Sequence, residues 1–476
     1  MDNNNTLLRR LKPLNVWALA FGCVIGWGAF VNPGKKFLPS AGVMGTGIAM
    51  FLGALIMIVI AYSYSAMTAR YPKAGGEFTF TKACFGRKAA YWCGWFLVAA
   101  YLTNVPMNST ALGLIVHGLF GPVLRVGFHY NIAGFDIYAG EMLFAMVILV
   151  LLGMFSIKGV KVAGAIQTLL AGCLAVSVII LTISALNSPL TSANNLMPLW
   201  GFDRVSGGYA AHEGGLKITG SVLAMLAIAP WAFVGFDTVP QAAEEFSFPV
   251  RKVNVIMIVA IMFGCFVYIA NNTITAAALE NWPELIINSE STPWLLLSAA
   301  QRLLGLKGKV LIGLAVFSAV LTGILGFYMA SSRLIYSMSR DGYLPEFLGR
   351  VDETYGTPKN AIIFCIVISL SGPVLGREAL GWFLDMSAIG ASIGYAFTCM
   401  SAIITMRRNN EHDGFLETMA FLGAGFSFMF MFLQLVPVPG LEGVHFGNES
   451  YIMLLVWLVI GGVFYAKQSS HFTDET

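Results

Sequence analysis

The stretch "GCVIGWGAFVNPG", Gly22 to Gly34, lies within the first apolar run of the chain. Crossing a bilayer as a helix takes ~20 apolar residues, and residues 14–33 supply them. Yet Gly22, Gly26, Gly28 and Pro33 fall in the middle and at the end of that run. Glycine weakens a helix and proline stops one. A second run answers the first. "APWAFVGFDTVPQAAEEFSFP", Ala229 to Pro249, carries Pro230, Gly235, Asp237 and Pro240. Unwound backbone in hydrocarbon survives only where it faces protein, a ligand or a water-filled cavity. Paired interruptions in corresponding halves of a membrane chain point to inverted repeats with a binding site at the breaks.

Composition agrees with a membrane chain. Of 476 residues, 57% are hydrophobic and 11% charged, where a soluble domain carries about 25% charged residues. Apolar runs predict about twelve transmembrane helices, near 14–33, 43–68, 90–118, 138–156, 160–186, 220–244, 253–279, 306–338, 360–376, 381–406, 415–436 and 450–467. The period-two alternation of a membrane barrel is missing. With the N-terminus inside, 19 of the 28 Lys and Arg residues fall on the cytoplasmic side and nine outside, which predicts a multi-pass protein with both termini cytoplasmic. The polar, basic first twelve residues do not read as a cleavable signal. No Cys/His spacing resembles a metal site, and no cofactor is expected. The chain reads as one domain, 1–476. Spans one to five (about 14–186) and six to ten (about 220–406) form the inverted repeats, and helices over 415–467 are appended.

The breaks suggest chemistry. Unwinding at Gly26-Trp27-Gly28 frees N–H groups at a helix N-terminus, a receptacle for a carboxylate. Unwinding over Trp231, Ala232, Phe233 and Gly235 frees carbonyls, which suit an ammonium. A zwitterionic amino acid fits both. The bland alternative is that these glycines only let helices pack closely. A nucleotide-binding reading fails, because the glycines have no strand–turn–helix context.

Four motifs, in order, resemble the amino acid–polyamine–organocation superfamily of permeases. They are "IGWGAF" at 25–30, "YPKAGGEFTFTKACFG" at 71–86, "FVGFD…AAEEFSFPVRKV" at 233–253, and "SSRLIYSMSRDGYLPEFLGRVDETYGTP" at 331–358. The resemblance implies a leucine-transporter-type fold with alternating access. Within the superfamily, the site positions are similar to those of bacterial arginine/agmatine antiporters. By that likeness Ile25, Gly26, Trp27, Gly28, Trp231, Ala232, Phe233 and Gly235 hold the substrate backbone. Asn104, Met107, Phe327 and Ser387 face its side chain, and Asp237 senses pH. Trp27 replaces the usual small residue, so it narrows the carboxylate end or gates it. Leu174 stands where proton-coupled relatives carry a lysine in span five, which favours exchange or facilitated uptake over that coupling device.

Trp231 and Asp237 are expected to gate the site. Glu244 and Glu245 are expected at an inner gate or structural ion pair beside Arg251 and Lys252. Intramembrane acids are functional candidates by default. Asp385 is left open between an extracellular gate and a solvated rim. Ser331 and Ser332 are weighed as sodium ligands against simple back-bonding in their helix. The histidines at 117, 129, 212, 412, 445 and 471 receive no role. The predicted function is a secondary transporter in the plasma membrane for an amino acid or small amine, with the lipid bilayer as surroundings, a homodimer left open and no nucleic-acid partner. The rivals are a nutrient sensor that binds without transport, a sodium- or proton-coupled amine or polyamine permease, and a membrane-embedded enzyme. An enzyme needs a nucleophile–base or metal constellation at one membrane face, and the scattered histidines offer none. The short link after span six argues against a six-plus-six fold with a long central loop.

Overall fold

The computed structural model describes residues 7–132, 135–288, 294–376, 379–439, 441 and 444–468. His471 lies outside the described residues. The first run opens as α1 (Pro13–Val24), is interrupted at Ile25–Trp27, and resumes as α2 (Gly28–Asn32). A π-turn at Pro33–Phe37 leads into α3 (Leu38–Arg70), and α4 (Gly76–Phe120) bends at Gly86. Helices α5 (Ala139–Ile157) and α6 (Val160–Leu186) complete the first half.

The second half begins with α7 (Gly215–Leu226) and the five-residue α8 (Ala229–Phe233). It continues through α9 (Val253–Ala278), two short helices α10 (Trp282–Ile287) and α11 (Leu295–Leu304), and α12 (Leu306–Arg340). Helices α13 (Lys359–Ser369) and α14 (Ser371–Leu375) make the ninth run, followed by α15 (Ala379–Arg408), α16 (Gly414–Leu435) and α17 (Asn448–Gln468). The only described strands form two small antiparallel hairpins, β1 (His129–Ile132) with β2 (Phe135–Tyr138) and β3 (Phe202–Val205) with β4 (Gly208–Ala211). This is an all-α polytopic membrane fold with its first and sixth spans broken.

Nine described stretches are both long and apolar enough to cross a membrane. The three expected spans outside that set are informative. The first is cut short at Val24 by its break, and the ninth is a 17-residue run, Lys359–Leu375. The third is diluted by Asn104, Asn108, Ser109 and Thr110, which the hydrocarbon would not accept unless they faced inward. Burial sorts the rest. Along the apolar windows, 83% of residues are buried in Gly215–Glu245, 78% in Gly381–Arg408 and 72% in Leu306–Arg340. The figure is 28% in Ala139–Ile157 and 11% in Asn448–Lys467. Spans six, eight and ten therefore run through the centre, and the last helix stands at the rim. There Ile452, Leu455, Val456 and Val459 are exposed, as lipid contact requires.

The sixth span departs from expectation after its break. Helix was expected to residue 244. The chain instead runs in 3₁₀ turns, Phe236–Thr238 and Pro240–Glu245, because Pro240 removes a donor and clashes with the turn before it.

Candidate functional site

The two breaks meet. Gly235 has φ +138°, a conformation open to glycine alone, and a Cβ there would lie 2.5 Å from the Val24 backbone nitrogen. Sixth-span backbone thus rests directly on the end of α1. Tyr268 of α9 ties the pair together. Its hydroxyl donates to the Ala232 carbonyl at 3.0 Å and lies 3.3 Å from that of Val24. The unwinding is narrower than the sequence suggests. Trp231, Ala232 and Phe233 sit inside α8, and the irregular residues are Val234 and Gly235.

One small cavity, with room for little more than a water molecule, lies where the breaks meet. It is lined by Gly26, Trp27, Gly28, Asn104, Met107, Trp231 and Phe327 among the expected residues. Cys23, Val24, Asn108, Val234 and Tyr268 complete the wall, and none of these lining side chains is charged. The Trp231 ring lies over Gly28, where a Cβ would come within 2.6 Å of it. Ser387 sits behind the wall and accepts a hydrogen bond from Asn104 Nδ2 at 2.7 Å. Ile25, Ala232, Phe233 and Gly235 do not line the cavity. They are fully or almost fully buried and shape the breaks from behind.

The wall carries unused polar groups. Among the described residues, no hydrogen bond engages the backbone N–H of Gly26 or Trp27, and the buried indole N–H of Trp27 has no partner. At the same cavity, Asn108 Oδ1 is buried without a partner, its amide nitrogen already donating to the Asn104 carbonyl at 2.8 Å. No described hydrogen bond reaches the Phe233 or Val234 carbonyls. Buried unpaired polar atoms are rare in folded proteins and each asks for an explanation. Donors here cluster at the first break, with Asn108 Oδ1 beside Gly26, and the free carbonyls belong to the second break.

Asp237 does not face this cavity. Its Oδ1 accepts from the Gly235 amide at 2.6 Å, and its Oδ2 from the Tyr101 hydroxyl at 3.1 Å. It caps its own break. The same tyrosine donates to Glu77, a buried acid that sequence reasoning missed, at 2.8 Å. Its motif, "YPKAGGEF", was visible, but nothing in it shows that the glutamate turns inward.

The expected partners of Glu244 and Glu245 need correcting. Arg251 and Lys252 are exposed on the following turn. Glu245 instead meets Arg333 of α12 at 2.7 Å, with both side chains at most 1% exposed. Glu244 meets Arg340 at 3.0 Å and accepts from the Ala74 amide at 3.2 Å. The chain's beginning closes over this pair. The Arg10 and Leu11 amides donate to the Glu245 carbonyl, and the Ser247 amide to that of Leu11, each at 2.9 Å.

The serines weighed for sodium are spent within α12. Ser331 donates to the Phe327 carbonyl, and Ser332 donates to that of Met329 and accepts from Arg333, whose charge repels a cation. Leu174 is buried and apolar. The residue that bridges from span five is Gln167, whose amide donates to Ala18 of α1 at 3.3 Å and Thr322 of α12 at 3.1 Å. Asp385 accepts from Ser450 of α17 at 2.6 Å and is half-buried, neither a free rim residue nor part of the cavity.

Comparison with known proteins follows this geometry. A family model described as amino acid permease matches residues 11–463. The chain is 24% identical to the branched-chain amino acid permease BcaP of Bacillus subtilis and 23% identical to the methylthioribose transporter of that organism, covering 98% of this chain and 94% of each relative. It is 23% identical to the vacuolar cationic amino acid transporter 4 of Arabidopsis thaliana, over 87% of this chain and 65% of that one. The chain belongs to the amino acid permease family, whose members are secondary transporters and not enzymes.

Proposed function

We propose that this permease carries a small neutral amino acid with an apolar side chain across the plasma membrane by alternating access, as an exchanger or facilitator. The observation that carries the reading is the set of unpaired polar atoms around an uncharged cavity. The Gly26 and Trp27 amides and the Trp27 indole would receive the carboxylate. Asn108 Oδ1 and the Phe233 and Val234 carbonyls would receive the ammonium. Met107, Val234 and Phe327 would surround an apolar side chain, with Asn104 at its edge and Ser387 holding Asn104 from behind. Trp231, lying over Gly28, would gate the site. The cavity as it stands is water-sized, so an amino acid would enter it only as Trp231 and the two breaks move apart, as alternating access requires. The engagement of Asp237 with its own break argues against a cationic side chain here. The printed activity of the branched-chain relative agrees with a neutral one.

The face on which the chain begins is read as cytoplasmic, supported by the bias of Lys and Arg towards it. Residues 14–186 and 220–406 are read as the inverted repeats, supported by one broken span in each. The test is a thermal-shift screen of the purified full chain against amino acids and their decarboxylated amines, followed by counterflow in proteoliposomes. Leucine, isoleucine or valine should raise the melting temperature and support counterflow. Stabilisation by amines alone would remove the carboxylate receptacle and overturn the assignment.

A further inference from the structure

Below the cavity lies a polar cluster that the substrate site does not use. Glu77 and Asp237 are both fully buried. Glu77 accepts from Tyr64 of α3 and Tyr101 of α4, each at 2.8 Å, and from Gln241 at 2.5 Å. Asp237 accepts from the Gly235 amide and from the same Tyr101 hydroxyl. Tyr395 of α15, Cys23 of α1 and Cys93 of α4 face the two acids as well. None of these neighbours is basic, and no described Lys, Arg or His reaches either carboxylate. The buried arginine nearby in sequence to the inner loop, Arg333, is taken by Glu245.

Tyr101 has one hydroxyl proton and two carboxylates within reach of it. Two buried carboxylates around one hydroxyl, with no cation, cannot both ionise. We propose that Glu77 and Asp237 share one proton through Tyr101, and that this pair is the proton-binding site of the transporter. With the proton on Glu77, that acid donates to Tyr101, and Tyr101 donates to an ionised Asp237. With the proton on Asp237, the tyrosine donates the other way. Gln241 Oε1 is buried and without a partner beside Glu77. A half-turn of that amide gives a protonated Glu77 an acceptor.

The site is placed to act on the break. An ionised Asp237 holds the Gly235 amide in a charge-assisted bond, and Gly235 is where span six rests on α1. Protonating Asp237 weakens that bond and frees the break. Glu77, through Gln241, ties the same proton to the 3₁₀ turn that ends in the Glu244 and Glu245 pairs. The proton thus sits between the cavity and the closure beneath it. Its role in coupling rests on the transporter reading above; its existence does not.

Infrared difference spectroscopy on the full chain in lipid nanodiscs tests the pair without any substrate. The wild type should show the carbonyl stretch of one protonated buried carboxyl at neutral pH. Glu77→Gln should remove it, and so should Asp237→Asn, because each leaves a lone carboxylate among donors. A wild type without the band, or a band that survives in either variant, overturns the shared proton. Where an amide variant fails to fold, Tyr101→Phe keeps both acids and breaks the bridge. The band should then remain but move in frequency, and an unmoved band overturns the bridge. Leucine counterflow against pH tests coupling. The wild type should be pH-dependent and Glu77→Gln at least tenfold less so, and an unchanged profile overturns coupling. If leucine is not exchanged at all while the infrared pattern holds, the substrate assignment falls and the proton site stands.

Discussion

Single residues carry the site through what they lack. Gly235 has no Cβ, so span six reaches the backbone of α1, and any other residue both clashes at 2.5 Å and meets a strained φ. Gly235→Ala should cost about 1–3 kcal/mol, the usual range for overpacking. A fall in the melting temperature of the purified variant checks it, and an unchanged value would mean that the breaks yield easily. Asn108 carries an acceptor without a partner. A hydrogen bond to a charged group is worth about 1.5–3 kcal/mol, so Asn108→Ala should weaken amino acid binding roughly ten- to hundredfold with little loss of stability. Titration calorimetry measures the binding, and the melting temperature of the ligand-free variant measures the stability. Gly26, Gly28 and Gly235 were legible in the sequence because backbone rules are local. Asn108, Glu77 and Arg333 were not. A polar residue on an apolar helix reads alike whether it is satisfied or waiting for a ligand, and its partners come from distant segments, as with Glu77 and Gln241, 164 positions apart.

Elements show where local rules are overruled. Pro240 was visible, but a proline near a helix end is compatible with a helix that simply kinks. The 3₁₀ turns that follow from it end at Glu245, which finds Arg333 across the fold. Both oxygens of Glu245 face that guanidinium, at 2.7 and 3.4 Å, which is the geometry a buried pair needs to offset desolvation. Arg333→Met leaves the carboxylate stranded and should cost about 3–5 kcal/mol, while Arg333→Met with Glu245→Leu should recover most of it. Equal losses in the single and double variants would show that packing, not charge, holds this junction. The β3–β4 hairpin makes a contrasting case. Asp203 there is held below the usual carboxylate range by hydrogen bonding to Lys217 and then His212. A lowered value means stability present at neutral pH and lost as pH falls through the folded pKa. Acidification should loosen this hairpin first, read as protease cleavage within 203–211, and Asp203→Asn should cleave equally at both pH values.

At the scale of the whole molecule, the sequence displays its spans because hydrocarbon demands ~20 apolar residues of each. It does not display which spans are central, because the buried and lipid-facing helices are comparably apolar. Hydropathy is 1.8 in the span that is 83% buried and 1.7 in the one that is 11% buried. Nor does it show how the chain's own beginning is used. Leu7 packs with Ala74 and Tyr336, and Leu11 is paired with the turn around Glu245 to Ser247. This strap binds the turn that carries the Glu244 and Glu245 pairs, so it should set the balance between states closed and open on that face. Cys23 reports on that balance, since it lines the cavity and is 4% exposed. In a chain that keeps Cys23 as its one cysteine, deleting residues 1–11 should raise its reaction rate with a membrane-impermeant thiol reagent at least tenfold from that face. Such a change corresponds to a shift of about 1.4 kcal/mol in the closed-to-open balance. Saturating leucine should slow the reaction again by filling the same space. If the rate does not change on deletion, the strap packs on the surface without governing access, and closure of that face rests on the Glu245–Arg333 junction alone.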